Sequence, residues 1–300
     1  MALSGMAHGN WSTAQKVKVN GLYYIIFPDT KTAMVGTADP TLATDKAGGI
    51  YRGDNTYSMQ SVTIPESFAL NGVAYTVTEI NKFAFYNGDI QFITVPETVT
   101  EVGASAFCYS KLKSAVLNCP DANLGGSIFE CSNLKAVKLP DGLKKIPDYA
   151  FLGTPLSSIN IPNSVTEIGK CAFYKCSNLE TLIFPTKIKT LTQSLCAFCP
   201  ALKTVRLPEG ILEIVESAFQ ECKQLSNINF PSSLKRIDGW AFADCTSLKN
   251  VSLSPNVNIR KDAFDGTGYK PTHTIGRKTQ QSSKKTPTKK TPTKKTHINI

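Results

Sequence analysis

An aliphatic residue, usually followed four positions later by a small residue and five positions later by phenylalanine, recurs at Ile80, Val102, Leu124, Ile146, Ile168, Leu191, Ile214, Ile237 and Ile259, always 22 or 23 residues apart. A proline series at Pro65, Pro96, Pro120, Pro140, Pro162, Pro185, Pro208, Pro231 and Pro255 keeps step with it. A fixed period of this length constrains architecture before any local propensity does. Each unit is too small to bury its own apolar face, so the units must stack into one core.

Within a unit, Leu182 and Phe184, Val205 and Leu207, Ile228 and Phe230, and Val251 and Leu253 are each separated by one residue. This period of two predicts a short strand with alternate side chains buried. The proline that follows cannot donate to a ladder and turns the chain. A second apolar pair follows, such as Val165 and Ile168, and then the Ala-Phe step of Ala172-Phe173, Ala218-Phe219, Ala241-Phe242 and Ala263-Phe264. The small residue admits a tight turn and the ring fills the interior. The fold expected is a mainly β solenoid of about nine coils with one short parallel strand per coil. At a strand spacing of about 4.8 Å it would be roughly 40 Å long.

The segment Ile161-Pro162-Asn163-Ser164-Val165-Thr166-Glu167-Ile168-Gly169-Lys170-Cys171-Ala172-Phe173 carries the phrase of a known repeat almost letter for letter. From about Ser61 to Gly266 the chain resembles the BspA-like leucine-rich repeats. That resemblance implies a leucine-rich-repeat solenoid and a role among bacterial surface or secreted proteins, adhesins included. Two coils depart from the phrase. Leu195 and Cys196 stand in the Ala and Phe places, which predicts local repacking around Phe198, and Asn118-Cys119-Pro120-Asp121 precedes Ile128-Phe129. Bulges are expected at these two coils.

Ahead of the array, Asn20-Gly21 and Asn71-Gly72 each separate two alternating segments, the signature of a type I′ hairpin turn. Such hairpins would cap the open end of the first coil. The expected organisation is a disordered start or expression scar over 1–15, a β cap over 16–79, a solenoid over 80–268 whose first strand lies near 61–65, and a basic tail over 269–300. Lys, Thr, Ser and Pro dominate that tail, which cannot build a core and is expected to be disordered.

The net charge of +10 belongs to the tail. Nine basic residues and no acidic one follow Gly266, which leaves 24 basic against 23 acidic residues before it. Lys284, Lys285, Lys289, Lys290, Lys294 and Lys295 could hold a polyanion by charge alone, without base stacking, because no aromatic follows Tyr269. No apolar run reaches the roughly 18 residues of a membrane-spanning helix, and the start lacks the apolar stretch of a secretory signal.

Catalysis by the usual routes lacks its base. The histidines are His8, His273 and His297, all outside the repeats. Glu167, Glu213 and Glu216 recur at one edge of the coil and read as solvated residues. Cys108, Cys131, Cys176, Cys199, Cys222 and Cys245 fall at or near one repeat position, where Gly153 stands in the remaining coil, and read as a packed column of thiols. Cys196-Ala-Phe-Cys199 has metal-like spacing but lacks the second pair of ligands a structural zinc needs. No cofactor is expected.

The surface expected to work is the outward row between the buried strand positions. It comprises Lys138, Asn160, Ile183, Arg206, Asn229 and Ser252, with Thr181, Thr204 and Asn227 one step earlier. Rows about 5 Å apart would form a flat polar plate suited to a protein or glycan, with Ile183 and Arg206 at its middle. The function expected is therefore non-enzymatic recognition or adhesion at the cell surface by a monomer. The alternative is an intracellular scaffold whose tail holds nucleic acid or another polyanion.

Overall fold

The computed structural model describes residues 10–36 and 59–272. It is a β-solenoid in which nine buried anchors, Ile80 to Ile259, bound eight full turns, with no helix among the described residues.

The Ala-Phe step explains why the coil closes without a helix. Two residues of each turn, one three after the anchor and one two after the ring, take left-handed backbone conformations. Tyr149 (φ 59°) with Gly153 (φ 69°), and Cys171 (φ 54°) with Lys175 (φ 57°), are examples. Each non-glycine residue held there costs about 1 kcal/mol, and the buried ring between the two holds the turn in place. The rings form a column. Phe85, Phe107, Phe129, Phe151 and Phe173 follow one another with centroids 5.3–5.6 Å apart and planes within 15° of parallel. Phe219, Phe242 and Phe264 continue it at 5.4 and 5.1 Å. Every ring residue from Phe85 to Phe242 donates its N–H to the next coil, as Phe151 does to the Ala172 carbonyl and Phe219 to the Ala241 carbonyl, both at 2.8 Å. Cys196 fills the gap in the column and keeps the same bond, donating to the Ala218 carbonyl at 2.8 Å.

The expected strand is present, and the structure adds a second one at the anchor. The first ladder joins Ser61–Thr63, Phe92–Val95, Ser114–Leu117 and Ala136–Lys138. It resumes through Thr181–Ile183, Thr204–Arg206 and Asn227–Ile228, all parallel. The second runs through two-residue strands such as Thr190–Leu191, Glu213–Ile214, Arg236–Ile237 and Asn258–Ile259. Two residues are too few for an alternating pattern to show in sequence. Pairing in this second ladder lapses between Leu124 and Ile146 and between Ile168 and Leu191, at the two coils whose sequence departs from the repeat. Away from each lapse the flanking strands pair in register with their other neighbours.

Both Asn-Gly hairpins form. Asn20 (φ 49°) and Gly21 (φ 84°) join Gln15–Val19 to Leu22–Phe27, and Asn71 (φ 49°) and Gly72 (φ 78°) join Ser67–Leu70 to Val73–Ile80. Thr32–Val35 then pairs in parallel with Val73–Ile80, whose last two residues begin the second ladder by pairing with Glu101–Val102. The hairpins thereby cover what would be an unpaired first edge.

Phe198 does not repack the interior as expected. It stands 37% exposed at φ 60°, two residues past the ring position, with its ring 5.4 Å from Tyr174. The interior volume comes instead from Leu195, which is larger than the alanine it replaces and offsets the smaller Cys196. Both are fully buried.

Candidate functional site

The thiol column is shorter than its sequence spacing indicates. The position three residues past the ring holds Gly88, then Ser110, Ser132 and Thr154, then Cys176, Cys199, Cys222 and Cys245, all buried, and last Thr267, which is half-buried. Ser110, Ser132, Thr154 and Thr267 donate to the ring residue's own carbonyl at 2.7–2.9 Å. The thiols reach back one coil instead: Cys176 to the Phe151 carbonyl at 3.2 Å, and Cys199, Cys222 and Cys245 to those of Phe173, Cys196 and Phe219 at 3.0 Å. Cysteine occupies this position where one more residue separates the ring position from the following leucine. Cys108 and Cys131 lie one and two residues past their rings, so they and Gly153 fall outside this column. Burial pushes the Cys196 and Cys199 thiols well above their ordinary range, which opposes the thiolate that metal ligation or exchange would need. No group of three or more potential metal ligands occurs among the described residues.

Two of the three carboxylates singled out above serve cross-coil pairs. Glu167 meets Lys145 at 2.6 Å and Glu213 meets Arg236 at 3.2 Å, both at exposed edges where such pairs contribute little. Glu216 is half-buried nearby, and its carbonyl accepts from the Ser194 N–H. The histidines lie outside the described residues, as do the six tail lysines from Lys284 to Lys295.

The strand face brings most of its expected residues together. Thr181, Thr204 and Asn227 stand in register, as do Ile183 and Arg206. Lys138, Asn160 and Ser252 are exposed on the same row. Ile183 is 60% exposed, the most exposed large apolar side chain among the described residues. Arg206 Nη1 donates to Asn227 Oδ1 at 3.1 Å, which fixes the guanidinium over the plate. Asn229 departs from expectation. Its side chain turns onto the backbone, accepting from the Leu207 N–H at 2.8 Å and donating to the Leu207 carbonyl at 2.9 Å. The strand ends at Ile228, and this amide supplies the rung that the backbone no longer makes. Asn229 thus belongs to the fold, whereas Asn227 and Arg206 belong to the surface.

The plate is not flat. Beside Ile183 lies a depression of about 690 Å³ whose floor is Ser158 to Ser164 and whose sides are Asp141 and Ile183 to Pro185. A backbone difference from the two preceding coils accompanies it. Lys111 and Asn133, each just before the buried leucine of its coil, donate to the Gly88 and Ser110 carbonyls at 2.9 and 3.1 Å. The equivalent residue of the next coil is Pro155, which has no N–H to give. From Pro155 to Pro162 no strand forms, and the first ladder breaks between Ala136–Lys138 and Thr181–Ile183. Cross-coil bonding resumes at Ser164, whose hydroxyl donates to the Asp141 carbonyl, and at Thr166, whose N–H donates to the Lys144 carbonyl at 2.9 Å. This notch was missed in the sequence, although a proline in a donor's place was its signal.

A second exposed row follows the left-handed turns. Tyr86 and Tyr109 lie 5.7 Å apart, Tyr174 and Phe198 5.4 Å apart, and Lys170 sits 5.5 Å from the Tyr149 ring centre.

Among solved structures, a leucine-rich repeat protein from Bacteroides ovatus superposes with a TM-score of 0.65 at 26% identity, covering 83% of this chain. The chain spans 62% of that protein's length. A leucine-rich repeat protein of T. pallidum matches at 22% identity and TM-score 0.48, over 78% of this chain and 91% of its own. The pneumococcal vaccine antigen PcpA matches at 19% identity and TM-score 0.49, over 84% and 79%. No curated protein is a significant match in sequence. Residues 54–180 and 166–281 match the BspA type leucine rich repeat region, six copies in all. With the stacked rings, the paired left-handed turns and the strand ladders in place, this match across most of its length makes the chain a member of the BspA-type leucine-rich repeat family.

Proposed function

We propose that the solenoid is a non-enzymatic recognition module that binds a protein or glycan partner through its first strand ladder, acting at a cell surface. The observation that carries this reading is the exposure of Ile183 among the polar outward residues of its own and the adjoining coils, Asn160, Thr181 and Thr204, beside a guanidinium that Asn227 holds in place. A large apolar side chain left in water next to an ordered arginine is the composition of an interface centre. Stacked repeats characteristically present such extended faces to partners. The surface location rests on the family's association with exported proteins.

The test is a binding screen of the full chain against purified extracellular matrix proteins and defined glycans, repeated with the Ile183→Asp/Arg206→Glu double variant. Both side chains point away from the core, so the variant should keep its melting temperature and lose at least about tenfold in affinity for any partner found. A partner held equally well by the variant contradicts this reading.

A further inference from the structure

The notch beside Ile183 lies where the first ladder lacks a rung. Between the coil of Ala136–Lys138 and the coil of Ser158 to Asn160, no backbone hydrogen bond crosses on this face. Between Ser158 to Asn160 and Thr181–Ile183 a single one does, from the Glu180 N–H to the Ser157 carbonyl at 3.3 Å. Of the other steps on this face, all but the last, from Asn227–Ile228 to the coil of Val251 and Leu253, are bridged by parallel strand pairs, Ser114–Leu117 to Ala136–Lys138 and Thr181–Ile183 to Thr204–Arg206 among them. Two strand edges and the segment between them therefore keep their outward N–H and C=O groups free of protein partners, in the interior of a ladder and not at its end. Unpaired strand edges are templates for another extended chain.

The side chains around this gap fit the same occupant. Ile159 is half-buried, as Val137, Ile228 and Val251 are at the same place in their coils, and it offers an apolar floor to the notch. Ile183 and Pro185 form one wall. Ser158, Asn160, Asn163 and Asp141 supply polar groups at the rim. An apolar floor between unpaired backbone edges suits a chain whose side chains alternate apolar and polar and whose main chain carries the missing donors and acceptors.

We infer that this notch binds an extended peptide segment of a partner protein by strand addition, its backbone pairing with the edges left open around Ser158 to Asn160 and an apolar side chain seated against Ile159 and Ile183. This rests on the strand-face reading above and narrows it to one class of ligand. Pro155, at the start of this segment, has no N–H with which to bond the preceding coil, and the Pro155→Asn variant asks whether that loss holds the notch open.

The test is a phage-displayed library of linear dodecapeptides panned on the full chain, with enriched peptides synthesised and titrated. Alternating apolar sequences should emerge. Their affinity should fall at least about tenfold when every second backbone amide is N-methylated, because several hydrogen bonds are lost together. It should fall comparably in Pro155→Asn, which restores the donor, closes the ladder and should leave the protein as stable as before or more so. Ile183→Asp should weaken binding without touching the backbone edge. A library that enriches nothing overturns the inference, as do peptides that tolerate N-methylation or bind Pro155→Asn unchanged. If the only partner lost by Ile183→Asp/Arg206→Glu is a glycan, strand addition fails while recognition through the face stands.

Discussion

Truncating Phe151 to alanine should cost the solenoid about 3–5 kcal/mol, the loss typical of a fully buried phenylalanine whose cavity cannot collapse. The ring has neighbours on both sides, 5.6 Å from Phe129 and 5.4 Å from Phe173, and its own backbone is tied to Ala172. The gap left behind would be walled by rings that left-handed turns hold in place, and those turns cannot slide to fill it. Because each coil contacts only its neighbours, the loss should appear as a lower urea midpoint with weakened coupling between the two halves of the array. The same truncation at Phe264, which has a stacked ring on one side and Tyr269 edge-on at 5.0 Å, should cost less. Equal losses at both positions would mean that the column does not act as a continuous stack.

The second large effect concerns the coil that breaks the column. Cys196→Phe alone should destabilise by about 1–3 kcal/mol, because a ring must enter a space that Leu195 already fills. Leu195→Ala alone should cost about 2–5 kcal/mol by opening a cavity. Together the two changes conserve volume and recreate the Ala-Phe pair of the neighbouring coils, so the double variant should recover most of the combined loss. A thermal or urea double-mutant cycle measures that coupling directly. Additive losses would show that this coil is packed on a different plan.

The period, the anchors and the ring column were legible in the sequence because each is a buried side chain repeated at fixed spacing, and burial is what apolar periodicity reports. The features missed depend on backbone bonds or on changes in register. The second ladder is built of two-residue strands, which leave no alternation to detect. Membership of the thiol column could not be counted back from the leucines, because the coils differ in length between ring and leucine; counted from the ring, Cys108 and Cys131 fall out at once. Phe198 offered itself as a substitute ring, yet its place in a left-handed turn directs it outward. On the strand face, Ile183 and Arg206 were readable as outward residues. Asn229 was not readable as structural, because nothing in the sequence shows that the strand ends one residue before it. The notch had a signal in Pro155, whose missing N–H matters only once Lys111 and Asn133 are seen to spend theirs on the preceding coil.

Amide hydrogen exchange on the full chain, alone and with a partner taken from the screen, tests the functional account most directly. In the free protein the amides of Ser158 to Asn160 should exchange faster than those of the paired strands Thr181–Ile183 and Thr204–Arg206. On binding, protection should appear over residues 158–164 and 181–185. Slow exchange at Ser158 to Asn160 in the free protein, or protection confined to the Tyr86–Tyr109 and Tyr174–Phe198 row or to the basic tail, would contradict it.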